Sequence, residues 1–527
     1  MLSGKKQILQ LVALLHAHGV EDVVVCPGSR NAPIVHTMNE CGLFRCHPLT
    51  DERSAGFYAL GLSLATHRPT VVCVTSGSAL LNLHPAVAEA YYQQVPLVVV
   101  SADRPAAWIG QMDGQTMPQP EALGKMVRCC VNLPEANTEE EEWYANRLIN
   151  EAMLTCLLHG QGPVHINVPI SEPLYAFDCP YLPQVRVIRH THPVQTSDWK
   201  NLADTLRNTT KCMILIGQMH MQNSLSADTL SSLATHCVIV RENLANVGNF
   251  PLVKTDPDEL LSCITHGEEA DFMPDLLITL GGHIVSKRIK QFLRSHKPLA
   301  HWHVSEEGKV ADLFGALTLV VESPADCFLE HLSQYMTEPS KEANPFLARW
   351  KELHPRFTSL YWENIFEALP HGSVLHLANS SVVRRAQHFP LHESITVCCN
   401  RGINGIEGSM SAAVGYAQAT PERLNFFLTG DLSFFYDQNA LWNIRLPRNL
   451  HILLINSGGG AIFDTLPLPE NESSRHLISA TQHFSASHLC QHYGIQYRQV
   501  ENKEEWEKAL PDFITRGNGC MLIEITI

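Results

Sequence analysis

The amino-acid sequence reads as three doubly wound, parallel-sheet α/β domains. Three observations predict this. The chain has 527 residues, which at about 150 residues per domain allows three or four. Short, continuously apolar, β-branched runs alternate with helix-length stretches along its whole length. The runs end repeatedly on Gly, Pro, Ser or Asn. Continuous apolar runs are what strands need when helices cover both faces of a parallel sheet.

The first domain is expected over residues 1–178. Ile8 to His18 has helical spacing and stops at Gly19, and Asp22 to Cys26 is a β-branched run closed by Pro27-Gly28. Ala55 to Ala65 predicts a helix of small residues. Thr70 to Thr75 predicts a strand ended by Ser76-Gly77-Ser78, Ala79 to Gln93 a single helix, Pro96 to Ser101 a strand, and Val164 to Val168 the last strand. The Pro- and His-containing stretch from Pro180 to Ser197 reads as a linker. A central domain, 195–335, takes strands at Cys212–Gly217, Cys237–Val240, Leu276–Leu280, Leu299–Val304 and Leu317–Val321, closed by a helix over Asp326–Tyr335. The polar passage Met336–Asn344 precedes a third domain, 345–527. Its strands are expected near Ser373–Leu377, Ile395–Cys399, Asn425–Thr429, His451–Asn456 and Cys520–Ile525. Ligands of such sheets sit at the carboxyl ends of the strands. In the first domain that directs attention to Pro27–Asn31, Asp51–Arg53, Ser76–Asn82 and Ala102–Gln115.

Composition narrows the class. Apolar residues at 45% and charged residues at 17% exclude a disordered chain. With 38 Lys and Arg against 53 Asp and Glu, the net charge of −15 argues against a general binder of nucleic acid or anionic membrane. The N-terminal stretch (Ile8, Leu9, Val12, Leu15) is amphipathic and lacks a signal peptide's apolar core. No apolar run approaches the roughly 20 residues of a membrane span. The 16 cysteines include no CxxC pair, which reads as reduced thiols of a cytoplasmic protein. His488, Cys490 and His492 read as an ordinary helix rather than a zinc site.

The strongest constellation lies in the third domain. Leu428-Thr429-Gly430-Asp431-Leu432-Ser433 ends one strand, and Asn456-Ser457-Gly458-Gly459-Gly460 ends the next. Ser457 follows Asp431 by 26 positions, room for a helix and a return strand. A carboxylate and small polar oxygens at neighbouring strand ends suit Mg²⁺ and a diphosphate. This pattern resembles the diphosphate and metal motif of thiamine-diphosphate enzymes, with Ser457 standing where that family usually has Asn. The resemblance implies thiamine diphosphate with Mg²⁺ (or Mn²⁺), held by Asp431, the Gly459 carbonyl and either Ser457 directly or, in its place, a water or Asn456. Gly430, Leu432, Ser433 and Asn456 would line the diphosphate. It also implies a buried carboxyl in the first domain that hydrogen-bonds the cofactor's aminopyrimidine and promotes loss of its carbon-2 proton. Thr50-Asp51-Glu52-Arg53-Ser54-Ala55-Gly56 matches, with Glu52 as that group and Gly77 and Asn82 beside the cofactor. In such enzymes the cofactor bridges two protomers, so a homodimer or homotetramer with active sites at the interface is expected.

Further stretches resemble one branch, the 2-succinyl-5-enolpyruvyl-6-hydroxy-3-cyclohexene-1-carboxylate synthase family of menaquinone biosynthesis. They are Cys26-Pro27-Gly28-Ser29-Arg30-Asn31-Ala32-Pro33, Thr75-Ser76-Gly77-Ser78-Ala79, Ser101-Ala102-Asp103-Arg104-Pro105 and Gly114-Gln115-Thr116. Ser286-Lys287-Arg288, Asn379-Ser380 with Arg384, Asn400-Arg401-Gly402 with Gly405-Ile406, and Ala461-Ile462-Phe463 continue the match through all three domains. The resemblance implies decarboxylation of 2-oxoglutarate and 1,4-addition of the resulting succinyl unit to isochorismate. Both substrates carry two carboxylates, and Arg suits them because its planar fork holds a carboxylate bidentately. On this reading Ser380, Arg384 and Arg401 serve 2-oxoglutarate. Ser29, Arg30, Arg104, Lys287 and Arg288 serve isochorismate. Gln115 orients an intermediate oxygen, Ile406 lies under the cofactor, and Ile462 and Phe463 wall its thiazolium. The rival readings are an acetolactate-synthase-like carboligase and a catalytically silent subunit that keeps the cofactor fold.

Overall fold

A computed structural model describes residues 1–189, 199–220, 225–248, 253–336, 344–355, 357–442, 446–460, 477–515, 517 and 519–527. The chain divides into two compact units. The first comprises Met1–His192, Gly402–Glu422 and Ser433–Leu450, and the second Pro193–Arg401, Arg423–Leu432 and His451–Ile527.

The first unit is built on a six-stranded sheet: β1 (Asp22–Val25), β2 (Arg45–Pro48), β3 (Thr70–Val74), β4 (Leu97–Asp103), β5 (Cys130–Asn132) and β6 (Val164–Pro169). The spatial order is β2-β1-β3-β4-β6-β5, parallel throughout. The order reverses between β1 and β3, so the crevice for a ligand opens at their carboxyl ends. The helix Glu52–Thr66 starts where Asp51 caps it, accepting the Ser54 N–H at 3.0 Å. The helix Ser409–Ala419 crosses it so closely that a Cβ at Gly61 would overlap the Ala412 carbonyl, and one at Gly415 the Tyr58 carbonyl. Glycine at both crossing points is what lets the backbones meet. Glu89, 1% exposed, fixes the segment leading into Ser409–Ala419 by accepting the Gly402 N–H (2.7 Å) and the Ile403 N–H (2.9 Å).

The second unit carries two sheets. One contains β7 (Cys212–Ile216), β8 (Cys237–Arg241), β9 (Val253–Lys254), β10 (Leu276–Leu280), β11 (Ala300–Ser305) and β12 (Leu317–Glu322), in the order β12-β11-β10-β7-β8-β9. The other contains β13 (Val374–Leu377), β14 (Thr396–Cys399), β15 (Asn425–Gly430), β16 (Leu450–Asn456), β17 (Gln496–Val500) and β18 (Met521–Thr526), in the order β14-β13-β15-β16-β18-β17. Asn243 and Asn246, just past β8, tie the two together. Asn243 Nδ2 donates to the carbonyls of Ala386 (2.6 Å) and Phe389 (2.9 Å), and Asn246 Nδ2 to that of Val397 (3.0 Å).

The expected strands are present, each within a few residues of its expected ends. Four strands were not foreseen, β2, β5, β9 and β17, and all four are sheet edges. Their residues are short runs with polar or half-exposed positions, so no continuous apolar pattern marks them. The single helix expected over Ala79–Gln93 is two, Ser78–Asn82 and His84–Gln93. Pro85 has no N–H to offer the preceding turn, so it opens a new helix instead of continuing the old one. Much of the expected linker and of the passage after Met336 lies outside the described residues.

Candidate active site

In the first unit most of the predicted residues follow the carboxyl ends of β1, β2, β3 and β4. Glu52 opens its helix and is half-buried rather than buried, and its Oε2 accepts from Asn82 Nδ2 at 3.0 Å. Gly77, three residues past the end of β3, has φ +88°, a conformation that favours glycine. Its α-carbon faces Gln115, whose Cα lies 3.4 Å from where a Cβ on Gly77 would stand. Gln115 is exposed and also left-handed, at φ +55°. Ile406 is half-buried, and its carbonyl accepts from Ser433 Oγ at 2.7 Å.

Two of the predicted cations lie in this unit. Arg30, 6% exposed, donates from Nη1 to the Ile170 carbonyl (2.9 Å) and pairs with Glu172 (3.1 Å). Burial, with Arg104 nearby, lowers its pKa. Arg104 Nη2 donates to the Gly114 carbonyl at 3.2 Å, and its Nε stands 3.6 Å from Asp113. Arg104 therefore holds the loop that carries Gln115. Ser29 is exposed beside Arg30.

In the second unit β13 and β15 are neighbours, so Asn379-Ser380 and Gly430-Asp431 stand at adjacent strand ends. Asp431 is 2% exposed. Its Oδ1 accepts the Leu432 N–H (2.7 Å), and its Oδ2 accepts the Gly459 N–H (2.7 Å) and Gln482 Nε2 (2.8 Å). The same Gln482 nitrogen donates to Asn456 Oδ1 at 3.0 Å, and Ser457 Oγ donates to the Gly459 carbonyl at 3.1 Å. Carboxylate and amide oxygens from two strand ends thus converge on one N–H donor, with a hydroxyl and a carbonyl alongside. That donor set is oxygen-only and fits a hard divalent ion. Gln482 carries no signal in the sequence. Ile462 and Phe463 lie outside the described residues.

The cations of this unit cluster. Arg401, 6% exposed, donates to Asn379 Oδ1 at 2.8 Å. The Nε atoms of Arg401 and Arg384 are buried with no hydrogen-bond partner among the described residues. Burial, then the field of Arg401, lowers the pKa of Arg384. Burial and the same guanidinium also lower the pKa of His283. Lys290, which sequence reasoning missed, has its pKa lowered by burial and by Arg401 and Arg384, against the attraction of Glu242. Unmatched buried guanidinium donors are costly unless an anion arrives to take them. Lys287 and Arg288 open the helix Lys287–Ser295 and are exposed. The turn before them is held by Glu242, fully buried, which accepts the N–H groups of Val285 (2.6 Å) and Ser286 (2.7 Å).

Comparison with known proteins gives the family of the chain. The N-terminal TPP binding domain of thiamine pyrophosphate enzymes matches residues 9–124, and their C-terminal TPP binding domain matches residues 380–525. A 2-succinyl-5-enolpyruvyl-6-hydroxy-3-cyclohexene-1-carboxylate synthase of Phocaeicola vulgatus is 49% identical, over 100% of this chain and 96% of that relative. One of Bacteroides thetaiotaomicron is 50% identical over 97% and 94%. The solved structure of a thiamine diphosphate-dependent 4-hydroxybenzoylformate decarboxylase of Rhodococcus jostii RHA1 shares the fold. Its TM-score is 0.74 at 20% identity, covering 99% of this chain and 98% of that one. The chain belongs to the 2-succinyl-5-enolpyruvyl-6-hydroxy-3-cyclohexene-1-carboxylate synthase family of thiamine pyrophosphate enzymes.

Proposed function

We propose that this chain decarboxylates 2-oxoglutarate and joins the resulting succinyl unit to isochorismate by 1,4-addition. The product is 2-succinyl-5-enolpyruvyl-6-hydroxy-3-cyclohexene-1-carboxylate with CO₂, a step of menaquinone biosynthesis. The observation that carries the reading is the pair of buried, unmatched guanidinium Nε atoms of Arg384 and Arg401. They belong to the same sheet whose neighbouring strand end presents Asp431.

Thiamine diphosphate, when bound, supplies the electron sink for loss of CO₂ from a 2-oxoacid. Asp431, Ser457 and the Gly459 carbonyl would hold Mg²⁺ or Mn²⁺, with Asn456 beside them, and the ion would neutralise the diphosphate. Gly430, Leu432 and Ser433 line the same strand end. Glu52, steadied by Asn82, is the carboxyl offered to the aminopyrimidine, where it exchanges a proton with a ring nitrogen. Gly77 and Ile406 shape the surface on which the cofactor rests. Arg384 and Arg401, with Ser380, grip the carboxylates of 2-oxoglutarate. Arg30, Arg104, Lys287 and Arg288, with Ser29, take those of isochorismate, and Gln115 hydrogen-bonds a reacting oxygen. No described helix is long and apolar enough to cross a membrane. We place the protein in the cytoplasm, as a homodimer or homotetramer in which a second copy completes each site.

The test is CO₂ release from 2-oxoglutarate with and without isochorismate, the product identified by mass. Absence of the expected adduct from purified protein supplied with cofactor and Mg²⁺ refutes the reading. Glu52→Gln should abolish carbon-2 proton exchange in bound cofactor, read by NMR, and unchanged exchange removes Glu52 from its role.

A further inference from the structure

Gln119 is 0% exposed, although it sits in the connection between β4 and β5. Its side chain uses both ends. Oε1 accepts the N–H of Gly77 at 2.7 Å. Nε2 donates to the Ala102 carbonyl (3.1 Å) and to Asn167 Oδ1 (2.9 Å). One amide therefore joins the turn after β3 to β4 and β6. Beyond it, Asn167 Nδ2 donates to Asp103 Oδ2 at 2.9 Å, and Asp103 Oδ1 accepts the Arg104 N–H at 2.8 Å. Arg104 in turn bonds the Gly114 carbonyl. The loop bearing Gln115 is thus held from both sides, by Arg104 before Gln115 and by Gln119 after it. A loop whose residue is kept at φ +55° needs such restraint, because a non-glycine pays for the left-handed conformation.

We infer that Gln119 is a positioning residue, setting Gly77 and the Gln115 loop in the arrangement that catalysis requires without itself touching substrate. The inference rests on the reaction proposed above. It differs from a packing role because each contact is a directed hydrogen bond, to the turn after β3, to β4 or to β6.

Two variants test it. Gln119→Leu keeps the volume and removes both hydrogen-bonding ends. Its kcat should fall at least tenfold. The affinity for thiamine diphosphate, read by fluorescence quenching, should change less than threefold, and the circular dichroism should match wild type. Gln119→Glu keeps the acceptor, but its second oxygen faces the Ala102 carbonyl and Asn167 Oδ1, both acceptors. It reproduces the amide only while protonated. Its activity relative to wild type should be high at low pH and fall as pH rises. The titratable groups near it are Asp103 and His165, the latter bonded to Ser101 Oγ at 2.7 Å and pushed by burial to about 4. Both are present in wild type, so the ratio of the two profiles isolates the new carboxyl. Hydrogen exchange of peptides covering 76–77 and 104–118 gives a readout independent of turnover, and exchange there should rise in Gln119→Leu and in Gln119→Glu at high pH. Wild-type kcat in the Leu variant, or a Glu variant whose pH profile and exchange match wild type, overturns the inference. If the Leu variant does not fold, the Glu variant decides alone. If wild type makes no adduct, the proposed reaction fails, and the exchange data then decide whether Gln119 positions the loop.

Discussion

Glu242→Gln should make the protein's stability less sensitive to pH, by an amount that follows from where the side chain sits. Glu242 is fully buried, and burial is the largest influence on it, pushing its pKa up to about 7 from the ordinary 4.5. Two backbone N–H groups and the field of Arg401 act in the opposite direction without cancelling it. The gap corresponds to about 3 kcal/mol between the two protonation states. Between pH 4.5 and 7 the folded protein keeps a proton that the unfolded chain has released. The side chain's contribution is therefore fully present below pH 4.5 and is lost as pH rises through 7. Glutamine cannot ionise and escapes that loss. It does forfeit one of the bonds to Val285 and Ser286, but these favour the ionised form and their effect is already contained in the raised pKa of about 7. The readout is the difference in melting temperature between variant and wild type at pH 5 and at pH 8. A domain of 150–250 residues moves about 2–4 °C per kcal/mol, so the variant should gain several degrees on wild type between the two conditions. A difference that stays constant from pH 5 to pH 8 refutes the reasoning, because it means that Glu242 titrates as an ordinary carboxylate.

Gly61→Ala should destabilise by about 1–3 kcal/mol or more, since the new methyl group overlaps the Ala412 carbonyl. The midpoint of denaturant unfolding measures this, and an unchanged midpoint denies the close crossing of Glu52–Thr66 and Ser409–Ala419. Arg401→Ala should raise KM for 2-oxoglutarate at least tenfold, consistent with about 1.5–3 kcal/mol for a hydrogen bond to a charged group. Steady-state kinetics with each substrate varied separately checks it. A change confined to isochorismate would reverse the assignment of cations to substrates.

What the sequence made legible follows from burial. Strands covered on both faces must be apolar without interruption, and runs such as Val71–Val74 and Leu97–Val100 announce themselves. Edge strands need not be, so Arg45–Pro48 and Gln496–Val500 pass for loop. The residues at strand ends were legible because a motif repeats their chemistry: Asp431 with Asn456 and Ser457, and Glu52 ahead of a small-residue helix. Gln482, Gln119, Lys290 and Glu242 were not. Except for Lys290, whose Nζ bonds the Ile284 carbonyl six residues back, each acts through a side chain that meets a distant point of the chain, 51 residues from Asp431 in the case of Gln482. Nothing about a lone Gln or Glu in sequence tells which backbone amide it will meet.

The first and third sheets share one strand order, with the reversal between their first and third strands. Each places its distinctive residues at that same reversal: Ser29, Arg30 and Gly77 on one, Ser380 and Asp431 on the other. The architecture is common, and the chemistry differs because the donors differ. On the first sheet the turn after the third strand carries a glycine whose N–H is engaged by a buried amide, beside a helix that opens with a carboxyl. That equipment suits a neutral ring recognised by hydrogen bonds. On the third sheet the corresponding position offers a buried carboxylate among oxygens, with guanidinium groups near the neighbouring strand end. That equipment suits a cation and the anions it neutralises. A cofactor with a heteroaromatic head and a diphosphate tail needs both kinds of face, and neither sheet supplies the two alone. On the proposed function, this division of labour would follow from duplicated topology with divergent strand ends, with the proposed residues Glu52 and Asp431 lying nearly four hundred positions apart in sequence.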